Sequence, residues 1–213
     1  MSKEKLKFEP HPADKLAHYA KAAVDIEYNF PFGWGELEGI HNRGNYDLSR
    51  HQEFSGKKLE YFDEQTKERF IPSVIETSAG ASRSFMAFLV DAYSEDEAPT
   101  ADGKTEKRMV LRLHPKIAPL KCAIFPLVNK DGLQEKAMAV KKDLQKSFKV
   151  FYDESGAVGR RYRRQDECGT PYCVTIDYDT LKEDTVTIRD RDSMKQERIG
   201  IDKIKEYINE RLI

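Results

Sequence analysis

Val74-Ile75-Glu76-Thr77-Ser78-Ala79-Gly80-Ala81-Ser82-Arg83 reads as the end of a strand running into the start of a helix. Phe70 to Glu76 has strand character, and Phe85, Phe88, Leu89 and Ala92 recur at helical spacing, which predicts a helix over about 82–93. Upstream, Val24-Asp25-Ile26-Glu27-Tyr28-Asn29-Phe30 alternates apolar with polar residues without exception, the period of a half-buried strand. Gly33 to Ile40 follows as a second strand crowded by glycines, a sign that something approaches the backbone closely, and Lys58 to Phe62 gives another. Before them, Leu16, Tyr19, Ala20 and Ala23 stand at helical spacing, so Ala13 to Ala23 reads as a helix and the first structured segment. Several strands followed by a helix, with no long helices between them, predict an antiparallel sheet.

Downstream the rhythm changes. Residues 94–107 are polar, contain Pro99 and Gly103, and hold no large apolar residue, which reads as a linker. The expected division is therefore a first domain over 1–98, a linker over 99–108 and a second domain over 109–213. Beyond the linker come a buried strand at 121–128, a helix at 133–148, a strand at 150–153 and a short basic helix near 158–166. Strands at 173–178 and 185–189 follow, then a last helix at 202–212 with Asp202 as N-cap. Strands alternating with helices predict a partly parallel sheet, so the expected fold class is α+β followed by α/β with a mixed sheet.

Composition bounds the function. The 213 residues carry 36 Lys plus Arg against 37 Asp plus Glu, a net charge of -1 that excludes a globally basic nucleic-acid coat but leaves local patches open. Charged residues make up 34%, mean hydropathy is -0.71, and no apolar run approaches the ~20 residues a bilayer span needs, so no membrane partner is expected. Met1 to Lys5 is polar and leads to no apolar stretch of the secretory type. Cys122, Cys168 and Cys173 form no CxxC pair, so the sequence specifies neither a disulfide framework nor a zinc ribbon, and a reducing cytoplasm is expected. His41, His51 and His114 lack metal-ligand spacing and no GxSxG occurs, so neither a metal site nor a serine triad is expected.

Three clusters could carry chemistry. The 74–83 junction sets an acid, a hydroxyl, a glycine and an arginine at a helix N-terminus, where free N–H groups favour an anion. The same residues also read as a capped helix start, with Ser82 as N-cap and Gly80 in a turn. Glu36 and Glu38, two apart on one strand, are expected to share a face, where they could hold an ammonium group or stand as ordinary exposed acids. In the second half Arg160, Arg161, Arg163 and Arg164 surround Tyr162 behind Gly156-x-x-Gly159, so at least three guanidiniums could face one polyanion. Alternatively they form a solvated face neutralised by Asp166 and Glu167. Arg189-Asp190-Arg191-Asp192 alternates sign and offers both donors and acceptors to base edges.

These residues carry a resemblance. Phe-Gly-Trp-Gly-Glu-Leu-Glu-Gly-Ile-His-Asn-Arg (32–43), Asn-Tyr-Asp-Leu-Ser-Arg-His (45–51) and the 74–83 junction closely resemble the class II, dimeric type of glycyl-tRNA synthetase. So do Gly-Arg-Arg-Tyr-Arg-Arg-Gln-Asp (159–166), Gly-Thr-Pro-Tyr-Cys-Val-Thr (169–175) and Thr-Val-Thr-Ile-Arg-Asp-Arg-Asp-Ser-Met (185–194), in one order from about residue 14 to the end. The resemblance implies that 1–98 is the last part of the class II catalytic sheet, with Gly80 and Arg83 in the third class II motif, and that 109–213 is an anticodon-binding domain. It gives Arg83 and Glu36 catalytic positions, with Arg83 on ATP, and sets Glu36, Arg43, Glu76, Ser78 and Gly80 around glycine and its adenylate. The tRNA-binding set becomes Arg160, Arg161, Arg163, Arg164, Arg189, Asp190, Arg191 and Asp192. Implied substrates are glycine, tRNA(Gly) and ATP with Mg2+, and the complete enzyme is implied to be a cytoplasmic homodimer.

Two departures qualify the match. Ala81-Ser82 stands where the family commonly has Val-Asp. The first two class II motifs, which supply the dimer interface and an arginine for the ATP α-phosphate, lie upstream of the matched region in the family. The chain is therefore expected to be a C-terminal portion, inactive alone without its N-terminal catalytic part, because charge developing on that phosphate would lack its principal stabiliser. The alternative is a noncatalytic synthetase-like subunit that binds nucleic acid or protein; the presence of Arg83, Glu36 and Glu76 speaks for the ligase, the two absent motifs for the alternative.

Overall fold

The computed structural model describes residues 1–99 and 103–212. By contacts the chain divides into two compact units, Met1–Asp91 and Ala92–Ile213.

The first unit is built on an antiparallel sheet of four strands, in the order β1 (Leu6–Pro10), β2 (Ala22–Phe30), β3 (Gly33–Gly44) and β6 (Val74–Ala79). Between β3 and β6 lie helix α1 (Tyr46–Ser55) and the two-stranded ribbon β4 (Tyr61–Phe62) and β5 (Arg69–Phe70). Helix α2 (Ala81–Ala92) follows β6 directly. The alternation of β2 does what it implies: Tyr28 and Phe30 are buried with Leu37 of β3 and Ala87 of α2. Tyr28 then spends its hydroxyl on Asp91 at 3.1 Å, so the buried ring leaves no polar group unsatisfied.

Three expectations for this unit change. The helix expected over 13–23 is only a 3-10 turn at Ala13–Lys15, because Ala22 and Ala23 pair with Asn42 and His41 as the start of β2. The polar N-terminus supplies an edge strand, β1, whose Leu6 pairs with Tyr28. Glu36 and Glu38 do not share a face, because the register slips at Ile26/Glu27: Glu38 lies opposite Ile26 but Glu36 lies opposite Glu27. Neighbouring residues of β2 point to opposite sides, so the bulge re-aims one acid away from the other.

The second unit starts with a hairpin of β7 (Tyr93–Pro99) and β8 (Thr105–Leu111), antiparallel from Tyr93↔Leu111 to Pro99↔Thr105. The expected linker over 99–108 is thus largely strand on either side of 100–102, which lie outside the described residues. Hydrophobicity marks these strands weakly, since Ala98 and Val110 share the buried side of the hairpin with Arg108, which pairs with the half-buried Asp96.

The remaining elements are β9 (Cys122–Pro126), α3 (Leu133–Leu144), β10 (Val150–Tyr152), α4 (Val158–Cys168), β11 (Tyr172–Ile176), α5 (Thr180–Glu183), β12 (Thr185–Asp190), β13 (Gln196–Gly200) and α6 (Ile204–Glu210). Their mixed sheet has the order β10-β9-β11-β12-β13, parallel across the first three strands and antiparallel beyond. Every residue of β9 and β11 is buried, as expected of parallel strands covered on both faces. The crossover from β9 to β10 runs outward and that from β10 to β11 runs back, so right-handed connections set α3 and α4 on opposite faces. Accordingly Leu133, Ala137, Val140 and Leu144 of α3 pack with Ile124, Val174 and Ile204, while Tyr162 of α4 covers Ala123, Phe125 and Cys173. Each fully buried Ile or Val here contributes about 1.5–3 kcal/mol.

Helix α4 ends at Gly169, where φ is +77° and a Cβ would stand 2.9 Å from Leu113 and 3.1 Å from the Leu111 carbonyl. Only glycine combines that left-handed turn with so close a neighbour.

Candidate functional site

In the first unit the candidate residues lie on β3, β6 and the first turn of α2. Glu76 and Ser78, two apart on β6, pair in register with His41 and Gly39 of β3 and so share a face with them. Arg43 sits at a second register slip, between Asn42 and Gly44, which frees its side chain from the regular pleat. Its guanidinium donates to Glu76 through Nη1 at 2.5 Å and to Asp47 of α1 through Nη2 at 3.1 Å, and it lies 4.2 Å from the centre of the Tyr19 ring. Arg43 is therefore held well above the usual guanidinium range, chiefly by Asp47 and secondarily by Glu76, while Arg43 holds Asp47 below the usual carboxylate range.

Arg83 reaches back from α2 and donates to the Glu36 carbonyl at 2.7 Å. Glu36, Ser78, Gly80 and Arg83 are all exposed. A Cβ on Gly80 would meet nothing nearer than Arg83 Cβ at 3.8 Å, so no neighbour within the unit requires glycine there. The structure thus joins Arg43 to Glu76 directly and Arg83 to Glu36 through its backbone, leaving the Glu36 carboxylate free of any hydrogen bond to those arginines. Carboxylates suit an ammonium group and an exposed arginine suits a phosphate or the face of a purine. Among the described residues no cluster of three or more His, Cys, Asp or Glu side chains is arranged to hold a metal ion.

The second unit engages its arginines internally. Asp166, with no exposed surface, accepts from Arg189 at 2.8 and 3.1 Å and from Arg108 at 3.1 Å. Arg108 also donates to Asp96 and to the Arg191 carbonyl, tying the β7–β8 hairpin to the sheet domain. Arg161 is buried with its guanidinium on the carbonyls of Pro126 and Gly156, and burial without a hydrogen-bonded carboxylate pulls it below the usual guanidinium range. Arg163 donates to Glu106 at 2.8 Å, and Arg164 to Asp153 and to the Ser155 carbonyl. Arg191 is buried against the Gly169 carbonyl at 2.8 Å and forks onto Asp192. Asp190 accepts from the backbone N–H groups of Asp192 and Ser193 and from the Ser193 hydroxyl. Of the eight, Arg160 alone has a side chain with neither a hydrogen-bond nor an ion-pair partner among the described residues; Arg160, Arg164 and Asp192 are exposed.

Residues 121–211 match the family described as "Anticodon binding domain". That span contains all eight residues of the anticodon-binding candidate set. Over the whole chain the similarity extends to proteins named glycine–tRNA ligase. One from Thermobifida fusca is 56% identical over 215 aligned positions, covering 100% of this chain and 46% of that protein. Another from Borreliella burgdorferi is also 56% identical, with 100% and 47% covered, and one from Streptomyces coelicolor is 51% identical, again with 100% and 47% covered. The chain spans about half the length of the curated relatives it matches. Among the described residues no helix is long and apolar enough to cross a membrane.

The sequence marks Glu76 as a candidate but does not pair it with Arg43, and it marks neither Asp47 nor the place of Asp166 at the centre of the charge network. Asp47 stands at i+4 from Arg43 and was in principle visible as a pair. Asp166 was visible only as an acid near an arginine cluster, since its partners Arg108 and Arg189 come from remote segments.

Proposed function

We propose that this chain is the motif-three and anticodon-binding portion of a class II, dimeric-type glycine–tRNA ligase, which attaches glycine to tRNA(Gly) at the expense of ATP with Mg2+. Identity of 51–56% along the entire chain to proteins of that name carries the reading. In it, residues 1 to about 91 supply one wall of the catalytic site and residues 109–213 the anticodon-binding domain. Glu36 and Glu76 receive the glycine ammonium, and Arg43 acts on substrate through Glu76, whose carboxylate it fixes. Ser78 and Gly80 leave the adenylate room at the strand end, and Arg83 meets ATP. Glycine offers no side chain to grip, so selection falls to polar groups around its amine and to crowding that rejects larger residues.

Recognition of tRNA(Gly) is assigned to the surface around Arg160 and Arg164, with Arg161, Arg163, Arg189, Asp190, Arg191 and Asp192 shaping it. The working enzyme is a cytoplasmic homodimer whose catalytic site is completed by an N-terminal portion, and this chain alone does not form glycyl adenylate.

A chimera in which this chain replaces the corresponding part of the Thermobifida fusca protein tests the reading. It is expected to exchange pyrophosphate into ATP in response to glycine but not alanine, and Arg83→Ala is expected to abolish the exchange. A folded chimera without glycine-dependent exchange would refute the ligase reading and favour a noncatalytic binding subunit. Exchange by this chain alone, above its Arg83→Ala variant, would show that the portion holds a complete site.

A further inference from the structure

The β7–β8 hairpin lies outside the residues 121–211 that match the anticodon-binding family, yet the segment that ends it reaches an acid of the candidate RNA surface. Just past β8, Arg112 is held by the neighbouring strand: its Nε donates to the Ser94 hydroxyl at 3.0 Å and its Nη2 to the Asp96 carboxylate. Ser94 and Asp96 are two apart on β7 and so share a face, which fixes the plane of the guanidinium. Asp96 is itself anchored, because Arg108 forks onto it while also reaching the buried Asp166 of α4. The remaining nitrogen of Arg112, Nη1, donates to Asp192 Oδ1 at 3.1 Å.

Asp192 stands in the turn between β12 and β13 with 46% of its side chain exposed. Arg191 donates to both carboxylate oxygens, at 2.8 Å each, and Arg112 takes a second place on Oδ1. An ionised carboxylate offers about four acceptor positions, two on each oxygen. Oδ1 is therefore filled, whereas Oδ2 keeps one position without a donor among the described residues. A base amino group fits that position: cytosine N4 donates to it, while uracil O4 would set acceptor against acceptor. Arg191 holds the carboxylate from within its own turn, and Arg112 holds it from the hairpin, a second anchored segment. Held from two segments, the open position is aimed before any ligand arrives.

We propose that Arg112 is a positioning residue for anticodon reading, which sets the Asp192 carboxylate so that its open acceptor position takes the amino group of one anticodon base. Arg112 touches no base in this arrangement and acts only through Asp192. The hairpin is thereby part of the reading unit, although it lies outside the matched domain. The proposal rests on the ligase reading, which supplies the tRNA. Removing Arg112 strands no acid, since Asp96 keeps Arg108 and Asp192 keeps Arg191. Exposed pairs of this kind contribute little to stability, so the effect falls on the aim of the carboxylate and not on folding.

The test titrates the whole chain with tRNA(Gly) and with transcripts in which each anticodon base is altered in turn, at two salt concentrations. Discrimination is the ratio of two affinities measured on one preparation, so any unfolded fraction cancels. Asp192→Asn should lower discrimination roughly tenfold at one anticodon position, and Arg112→Ala about threefold or more at the same position, within the range of a base contact. The double variant should lose no more than Asp192→Asn alone, as expected where one residue acts through the other. Arg112→Lys keeps the charge without the planar fork and should share the loss of discrimination with the salt slope unchanged. Full discrimination in Arg112→Ala beside a loss in Asp192→Asn would overturn the proposal and leave the ligase reading standing. Losses that multiply in the double variant, or full discrimination in Asp192→Asn, would overturn it as well. A salt slope lowered by about 0.7 in Arg112→Ala and restored in Arg112→Lys would make Arg112 a phosphate contact instead. A wild-type chain that binds every altered transcript as tightly as tRNA(Gly) would refute the anticodon assignment, and this proposal with it.

Discussion

Arg189 lays its guanidinium along both oxygens of Asp166, at 2.8 and 3.1 Å, with the carboxylate wholly withdrawn from solvent. The same carboxylate takes a third bond from Arg108, which has no exposed side-chain surface. One strand, one helix and one hairpin therefore meet on a single acid. Asp166→Asn would leave two buried guanidiniums facing a neutral amide, and a loss of about 3–5 kcal/mol is expected. Urea unfolding followed by circular dichroism checks it: the midpoint should fall at constant slope. A loss below about 1 kcal/mol would mean that solvent reaches the network.

The four arginines of α4 separate by environment. Arg160→Gln with Arg164→Gln, both at exposed positions, should leave stability within about 0.5 kcal/mol and lower the salt slope of tRNA binding by about 1.4 if both meet phosphates. Arg161→Gln should instead destabilise by about 2–4 kcal/mol, since the Pro126 and Gly156 carbonyls lose their donors. Titrations of tRNA at two salt concentrations, paired with melting curves, separate the two effects. An unchanged slope in the folded double variant would remove α4 from the RNA interface.

Asp190 is committed to the turn after β12, accepting two backbone N–H groups and a hydroxyl. Asp190→Asn is therefore expected to weaken binding of wild-type tRNA(Gly) and of a transcript with one altered anticodon base by the same factor. Asp192 keeps nearly half its side chain exposed and accepts the fork of Arg191 and a bond from Arg112; partial desolvation acts to raise its carboxyl, but the two arginines hold it below the usual carboxylate range. Loss of roughly 1–3 kcal/mol of discrimination at one anticodon position, in either variant, would mark that acid as a base contact.

Acid stability should depend on Asp177. Arg198 donates to both its oxygens, at 2.7 and 2.9 Å, and with Thr180 holds its carboxyl down to about 2 against an ordinary value near 3.8. A depressed acid stabilises the fold fully above its unfolded value, and that contribution disappears as pH falls through the folded value. Wild type should therefore exceed Arg198→Gln by about 1–2 kcal/mol at pH 6, with the gap closing between about pH 4 and pH 2. Equal acid-unfolding curves would show that the pair contributes nothing.

Much of the fold is legible because its periods are clean. The alternation of Val24 to Phe30 becomes β2, the apolar spacing of Phe85 to Ala92 becomes α2, and the buried run from Cys122 becomes a central parallel strand. The elements missed are those that hydrophobicity does not write. The β7–β8 hairpin is rich in charged residues and buries Arg108 beside Ala98 and Val110, β1 is a short edge strand with no buried residue, and α1 carries none either.

The sequence by itself determined most of the strand and helix periods and the cluster of chemically apt residues at 74–83. Only the tertiary structure decided which charges are free. Neighbouring arginines of α4 end on a buried carbonyl, an acid or solvent according to which segments pack against them, and Glu36 and Glu38 part company because one residue is inserted in a strand. Spacing fixes the direction of a side chain only within its own element, whereas the partner that neutralises a charge comes from a segment tens of residues away, as Asp166 does for Arg108.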